Sequence, residues 1–128
     1  MRETKPPGEN MFNFEKLDGC QKAIAFADLV YSQTQGFPNE ERFGLTNQMG
    51  RAAVSISSNI AEGSSRMSQA DFARFVEIAA GSVFEVTSQV FIAEKQTLLT
   101  KEQFATIYKR AEELSRMLSG LRRSLFAS

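Results

Sequence analysis

The stretch M-S-Q-A-D-F-A-R-F-V-E-I-A-A-G-S-V-F-E-V-T-S-Q-V-F-I-A-E-K, Met67 to Lys95, decides the fold class. Phe72, Val76, Ala79, Val83, Val86, Val90 and Ala93 recur in alternating steps of four and three, the spacing of one apolar helix face. Ser68 with Asp71 three residues on resembles a capping box, and Met67 with Phe72 can close as a hydrophobic staple. The helix is therefore expected over 69–97. A single helix cannot bury such a stripe, so partner helices are required.

Working outward, Thr100 with Gln103 forms a regular capping box and Leu99 with Phe104 its staple, opening a helix expected over 101–125. Its apolar positions are Phe104, Tyr108, Ala111, Leu114 or Ser115, Leu118, Leu121 and Leu125. Towards the N-terminus, a helix over 39–62 is expected to bury Leu45, Met49, Ala52, Ile56 and Ile60, with a bend at Gly44. Another over 18–35 carries Ala23, Ile24, Ala27, Val30 and Tyr31, and Gly36-Phe37-Pro38 stops it. Strand signals are absent. Four helices on short connections predict an all-α, antiparallel up-down-up-down four-helix bundle. Residues 12–128 are expected to form this one domain, preceded by a flexible N-terminal arm over 1–11 containing Pro6-Pro7-Gly8.

The third helix is apolar beyond its core stripe. Ala80, Phe84 and Phe91 lie on one flank, and Ile78 and Ile92 on the other. Either this is a wide stripe at the centre of one bundle, or another copy of the chain covers it. The second reading makes Ile78, Phe84, Phe91 and Ile92 the candidate oligomer interface.

The 128 residues carry fifteen Lys plus Arg against fifteen Asp plus Glu, so the chain is no polycation. Hydrophobic residues at 42% and charged residues at 23% are globular in proportion. There is no His, which removes the commonest general base and metal ligand near neutrality. Cys20 is the single cysteine, and no nucleophile–base–orienter set is recognisable. No enzymatic activity, metal or cofactor is expected. No signal peptide and no apolar run of about 20 residues stands out, so the expected location is the cytoplasm, without a membrane partner.

Charge distribution leaves a nucleic-acid alternative. Lys109, Arg110, Arg116, Arg122 and Arg123 concentrate in the last helix, and Arg51, Arg66 and Arg74 form a second group. These are the candidate RNA or DNA contacts, made to phosphate because no aromatic residues interleave them for stacking. The competing reading is a solvated helix face with intrahelical pairs Lys109–Glu113 and Glu112–Arg116.

The run F-P-N-E-E-R-F-G-L-T-N-Q-M-G-R-A-A-V-S-I-S-S-N-I-A-E-G-S-S-R, Phe37 to Arg66, resembles the signature of the 23S rRNA intervening-sequence protein family, also called the four-helix bundle protein family. The flanking F-E-K-L-D at Phe14 to Asp18, D-F-A-R-F at Asp71 to Phe75 and A-A-G-S-V-F-E at Ala79 to Glu85 fall in the family's order. The resemblance implies a four-helix bundle assembled as a homopentamer, with no established biochemical activity. It also implies kinship with basic pentameric accessory proteins of retroelements that bind nucleic acid. Gly19-Cys20, Gly50 and Ser57 depart from the pattern, which commonly has an apolar residue and Trp, a basic residue and a proline there. Within the motif, Ser58, Asn59, Ile60, Ala61, Glu62 and Gly63 are expected to be structural. So is Glu85, with Arg51 its candidate partner in a buried pair. The function expected is that of a non-enzymatic homo-oligomeric interaction scaffold, with sequence-nonspecific nucleic-acid binding as the alternative. The partners are then the chain itself, an unidentified protein, or nucleic-acid phosphate.

Overall fold

The computed structural model describes residues 12–126, so nearly all of the expected arm over 1–11 lies outside the described residues. A 3₁₀ turn, Asn13–Lys16, leads into α1 (Asp18–Thr34); a second, Asn39–Glu41, precedes α2 (Leu45–Ser64); α3 (Gln69–Lys95) and α4 (Lys101–Phe126) complete the order. Among the described residues there is no strand. Each helix packs on the next, and α1 closes against α4, so the four surround one core.

The second helix begins later than its periodicity suggests. Pro38 opens the Asn39–Glu41 turn, and Gly44, at φ −109° and ψ −113°, takes a non-helical conformation at the N-cap of α2. The expected bend at Gly44 is thus a break between a 3₁₀ turn and a separate α-helix. Downstream, α2 runs unbroken through Ser57, where a proline would have removed an amide donor. At the end of α3, Gln96 caps and Thr97 turns back at φ 59°, so the helix stops at Lys95 instead of residue 97.

The caps divide unequally. Thr100 and Gln103 form the full box: Gln103 N–H donates to Thr100 Oγ1 at 3.0 Å and Thr100 N–H donates to Gln103 Oε1 at 2.9 Å. At Ser68 one bond forms, Asp71 N–H to Ser68 Oγ at 3.1 Å. The staple expected there is missing, because Met67 projects fully into solvent. Leu99, by contrast, is buried in the core with Phe104 packed against that core.

The core is lined by Phe26 and Val30 of α1, Met49, Ile56 and Ile60 of α2, Val76, Val83, Val86 and Val90 of α3, and Ile107, Leu114 and Leu118 of α4. Ile107 takes the inward place in α4, and its neighbour Tyr108 is turned to the surface. In α1, Tyr31 of the expected stripe is likewise exposed beside buried Val30, and Phe26 is buried as well. By length and composition α3 is apolar enough to cross a membrane, yet its stripe of valines is the centre of this core.

The tightest contact joins α2 and α3. A Cβ placed at Gly63 would lie 2.7 Å from Phe75 Cβ and 2.9 Å from Phe72 Cδ1, so this position admits no side chain without movement. Gly50 plays a milder version of the same part beneath the Tyr31 ring, 3.3 Å from where its Cβ would stand.

Candidate functional site

The motif residues Ser58 to Gly63 lie in the second half of α2 and divide between its inner and outer faces. Ile60 and Gly63 are buried, Asn59 and Ala61 partly so, and Ser58 and Glu62 are exposed. Asn59 Nδ2 donates to the Ser55 carbonyl at 2.8 Å and to the Ser55 hydroxyl at 3.0 Å. That hydroxyl also meets Ser82 Oγ of α3 at 2.9 Å, so Asn59 organises a polar link between helices. Glu62 accepts from Arg66 Nη2 at 2.8 Å. Each of these roles is met within the fold, where buried polar groups are ordinarily paired.

The expected buried pair between Arg51 and Glu85 does not form. Both side chains are exposed and line a shallow groove between α2 and α3 together with Asn47, Gln48 and Ser55. Among the described residues no ion pair holds Arg51, and Glu85 accepts only a long bond from Gln89 at 3.5 Å. Two long side chains at a groove lip gain little by pairing in water, and solvating them separately is the cheaper arrangement.

Two apolar patches flank α3. On the α4 side, Phe84, Phe91 and Tyr108, with Val83, Ala111 and Glu112, line a groove of about 350 Å³. Phe91 packs edge-on against Phe104 at 5.0 Å and Tyr108 at 6.1 Å between ring centres, and this fixes the groove wall. Phe84 is nonetheless 69% exposed and Phe91 45%. On the α2 side, Ile78 and Ile92 form a ridge, 45% and 51% exposed, with Glu85 between them at heptad spacing. The structure thus leaves all four candidate interface residues on the surface, in two groups. Tyr108 belongs to the first group; assigning it to the core concealed it.

The eight candidate nucleic-acid contacts do not converge. Arg66 and Arg74 both stack on Phe75, at 4.7 and 4.9 Å from its ring centre, while bound to Glu62 and Asp71. Arg122 reaches Glu77 of α3 at 3.3 Å and lies over Phe126. Arg116 pairs with Glu112 at 3.7 Å, as its spacing suggests. The expected Lys109–Glu113 pair is replaced by Lys22–Glu113 at 3.6 Å, because α1 brings a nearer amine across. Arg51, Lys109, Arg110 and Arg123 are exposed, and no ion pair among the described residues engages them. Lys109 and Arg110 are adjacent on α4, and Arg110 borders the α1–α4 crevice beside Lys22.

Cys20 is fully buried, its thiol donating to the Ser57 carbonyl at 3.8 Å, and burial pushes its pKa up. That is the reverse of an activated nucleophile. Among the described residues no group of three acidic or cysteine side chains is arranged to hold a metal ion.

Comparison with known proteins adds the lineage. A family profile described as 23S rRNA-intervening sequence protein matches residues 15–120. The chain belongs to that family. Its structure is similar to the crystal structure of a protein with unknown function from the S23 ribosomal protein family of Bacteroides thetaiotaomicron VPI-5482. The TM-score is 0.76 at 25% sequence identity, over 81% of this chain and 97% of that one. No curated protein matches the chain. This chain and that neighbour share the fold, and the neighbour is described as having unknown function.

Proposed function

We propose that this member of the 23S rRNA-intervening sequence protein family is a non-enzymatic, cytoplasmic, homo-oligomeric interaction scaffold. Its unit is an antiparallel up-down-up-down four-helix bundle, and the homopentamer implied by the family resemblance is the assembly proposed. The observation that carries this reading is the apolar surface left on both flanks of α3, where Phe84 is 69% exposed and three further large side chains about half so. Patches of that kind mark interaction sites. Light scattering across a concentration series tests the reading. A mass several times the 14.3 kDa of one chain is expected. A monomer at every concentration refutes it.

Sequence-nonspecific RNA or DNA binding is the second reading, favoured by the adjacent Lys109 and Arg110 on α4, exposed and without an ion pair among the described residues. Repetition of weak phosphate contacts around an oligomer would supply avidity. Fluorescence anisotropy with labelled RNA and DNA at low and moderate salt decides it, since salt-sensitive binding is expected and its absence at low salt removes the reading.

A further inference from the structure

The two patches on α3 differ in shape and in place. Ile78 and Ile92 are exposed on the same heptad row of α3 as Glu85, which borders the α2–α3 groove, whereas Phe84, Phe91 and Tyr108 line a hollow with α4. At 100° per residue the two rows lie roughly 110° apart around the α3 axis, with Gly81 and Ser88 on the outward line between them. A Cβ at Gly81 would meet nothing within 4 Å, so no side chain there obstructs an approaching surface.

A two-fold contact through either patch alone would leave the other open to water. A head-to-tail contact covers both with one kind of interface, and such contacts close into rings when the rotation permits. The charges agree with that choice. Arg51, beside the ridge, has no carboxylate partner among the described residues, and Glu112, in the hollow, pairs among them only with Arg116 at a long 3.7 Å. Glu85 at the middle of the ridge is likewise nearly free. The ridge flank therefore offers a cation, Arg51, to the one carboxylate of the hollow, Glu112.

We propose that copies of this chain join heterologously, Ile78 and Ile92 of one copy entering the Phe84–Phe91–Tyr108 hollow of the next, with Arg51 facing Glu112. This rests on the oligomer reading above and specifies which surfaces make it. Complementation tests it with two full-length variants, Phe84→Glu/Phe91→Glu, which spoils the hollow, and Ile78→Glu/Ile92→Glu, which spoils the ridge. Ile78, Phe84 and Ile92 are largely exposed, whereas Phe91 gives up its ring contacts with Phe104 and Tyr108, so circular-dichroism melts must show each variant folded at the assay temperature; Ser replacements serve if either Glu variant does not fold.

By light scattering each variant alone is expected to be monomeric. Their mixture should give one-to-one dimers that grow no further, because only one intact hollow and one intact ridge remain. In a single chain, Arg51→Glu should raise the concentration of half-dissociation about tenfold and Glu112→Arg in the same chain should restore it. Either double variant keeping the parental mass, or a mixture that stays monomeric, overturns the pairing while leaving the oligomer intact. A monomeric parent chain would overturn the oligomer reading itself, a result distinct from the other two.

Discussion

Replacing Gly63 by Ala asks whether the close approach of α2 to α3 is as rigid as the distances indicate. In an exposed helix the change would stabilise by about 1 kcal/mol, since Ala is the better helix former. Here the added methyl would stand 2.7 Å from Phe75 Cβ and 2.9 Å from Phe72 Cδ1. The phenyl ring of Phe72 can swing aside, but Phe75 Cβ is fixed to its backbone, so the helix axes themselves must part. Phe75 is also clamped from outside by Arg66 and Arg74, which removes its easiest retreat. Overpacking of this sort costs on the order of 1–3 kcal/mol, and with an unyielding neighbour the upper half applies. The helix gain subtracted, the net loss is about 1–2 kcal/mol. With a urea slope of about 2 kcal/mol per molar, the midpoint should fall by roughly 0.5–1 M. Gly120→Ala is the control: its Cβ would meet nothing within 4 Å, so the helix gain stands alone and the midpoint should rise. A Gly63→Ala midpoint equal to or above that of the parent would refute the reasoning, because it would mean that α2 and α3 have room the distances deny.

Ser68→Ala removes the side-chain acceptor for the Asp71 amide at the start of α3 and should cost about 1 kcal/mol, seen as a fall of about 3–5 °C in thermal midpoint; an unchanged midpoint would show the amide content with water. Cys20 should react with iodoacetamide at a rate set by unfolding, and rapid labelling of the folded protein would contradict its burial. Because burial raises the folded-state pKa of that thiol, its contribution to stability is complete below the unfolded value and is lost as pH rises through the folded one. Stability should therefore decline at alkaline pH, and Cys20→Ser should flatten that decline. If nucleic acid binds through α4, Lys109→Glu with Arg110→Glu should reduce the salt slope by up to about 2 per copy engaged on duplex DNA, whereas an unaltered slope would clear both residues.

What could be read along the chain was set by local chemistry. The Ser68–Asp71 and Thr100–Gln103 caps each act within one turn and the 3.6-residue period runs on from them, so α3 and α4 are legible to within two residues. Where two apolar residues adjoin, period alone does not choose the inner one: Ile107 goes in and Tyr108 out, and the third aromatic of the hollow beside α3 is not legible for that reason. Charges were least legible, since Glu113 pairs with Lys22 across α1 and Arg122 with Glu77 across α3, and neither partner is a helical neighbour. Met67 likewise depended on the direction in which the α2–α3 turn leaves the bundle.

The S-N-I-A-E-G motif, the most specific sequence feature, serves packing. Gly63 makes room for two phenylalanines, Ile60 fills the core, Asn59 holds Ser55 on Ser82, and Glu62 is taken up by Arg66. A motif whose side chains are satisfied inside the fold has little left to offer a ligand. The unspent capacity lies instead on the flanks of α3, where large apolar side chains face water, and on α4, where no ion pair among the described residues engages Lys109 or Arg110. Function is to be sought on those surfaces, because the motif's task is to hold α2 and α3 close enough for the flanks to be presented.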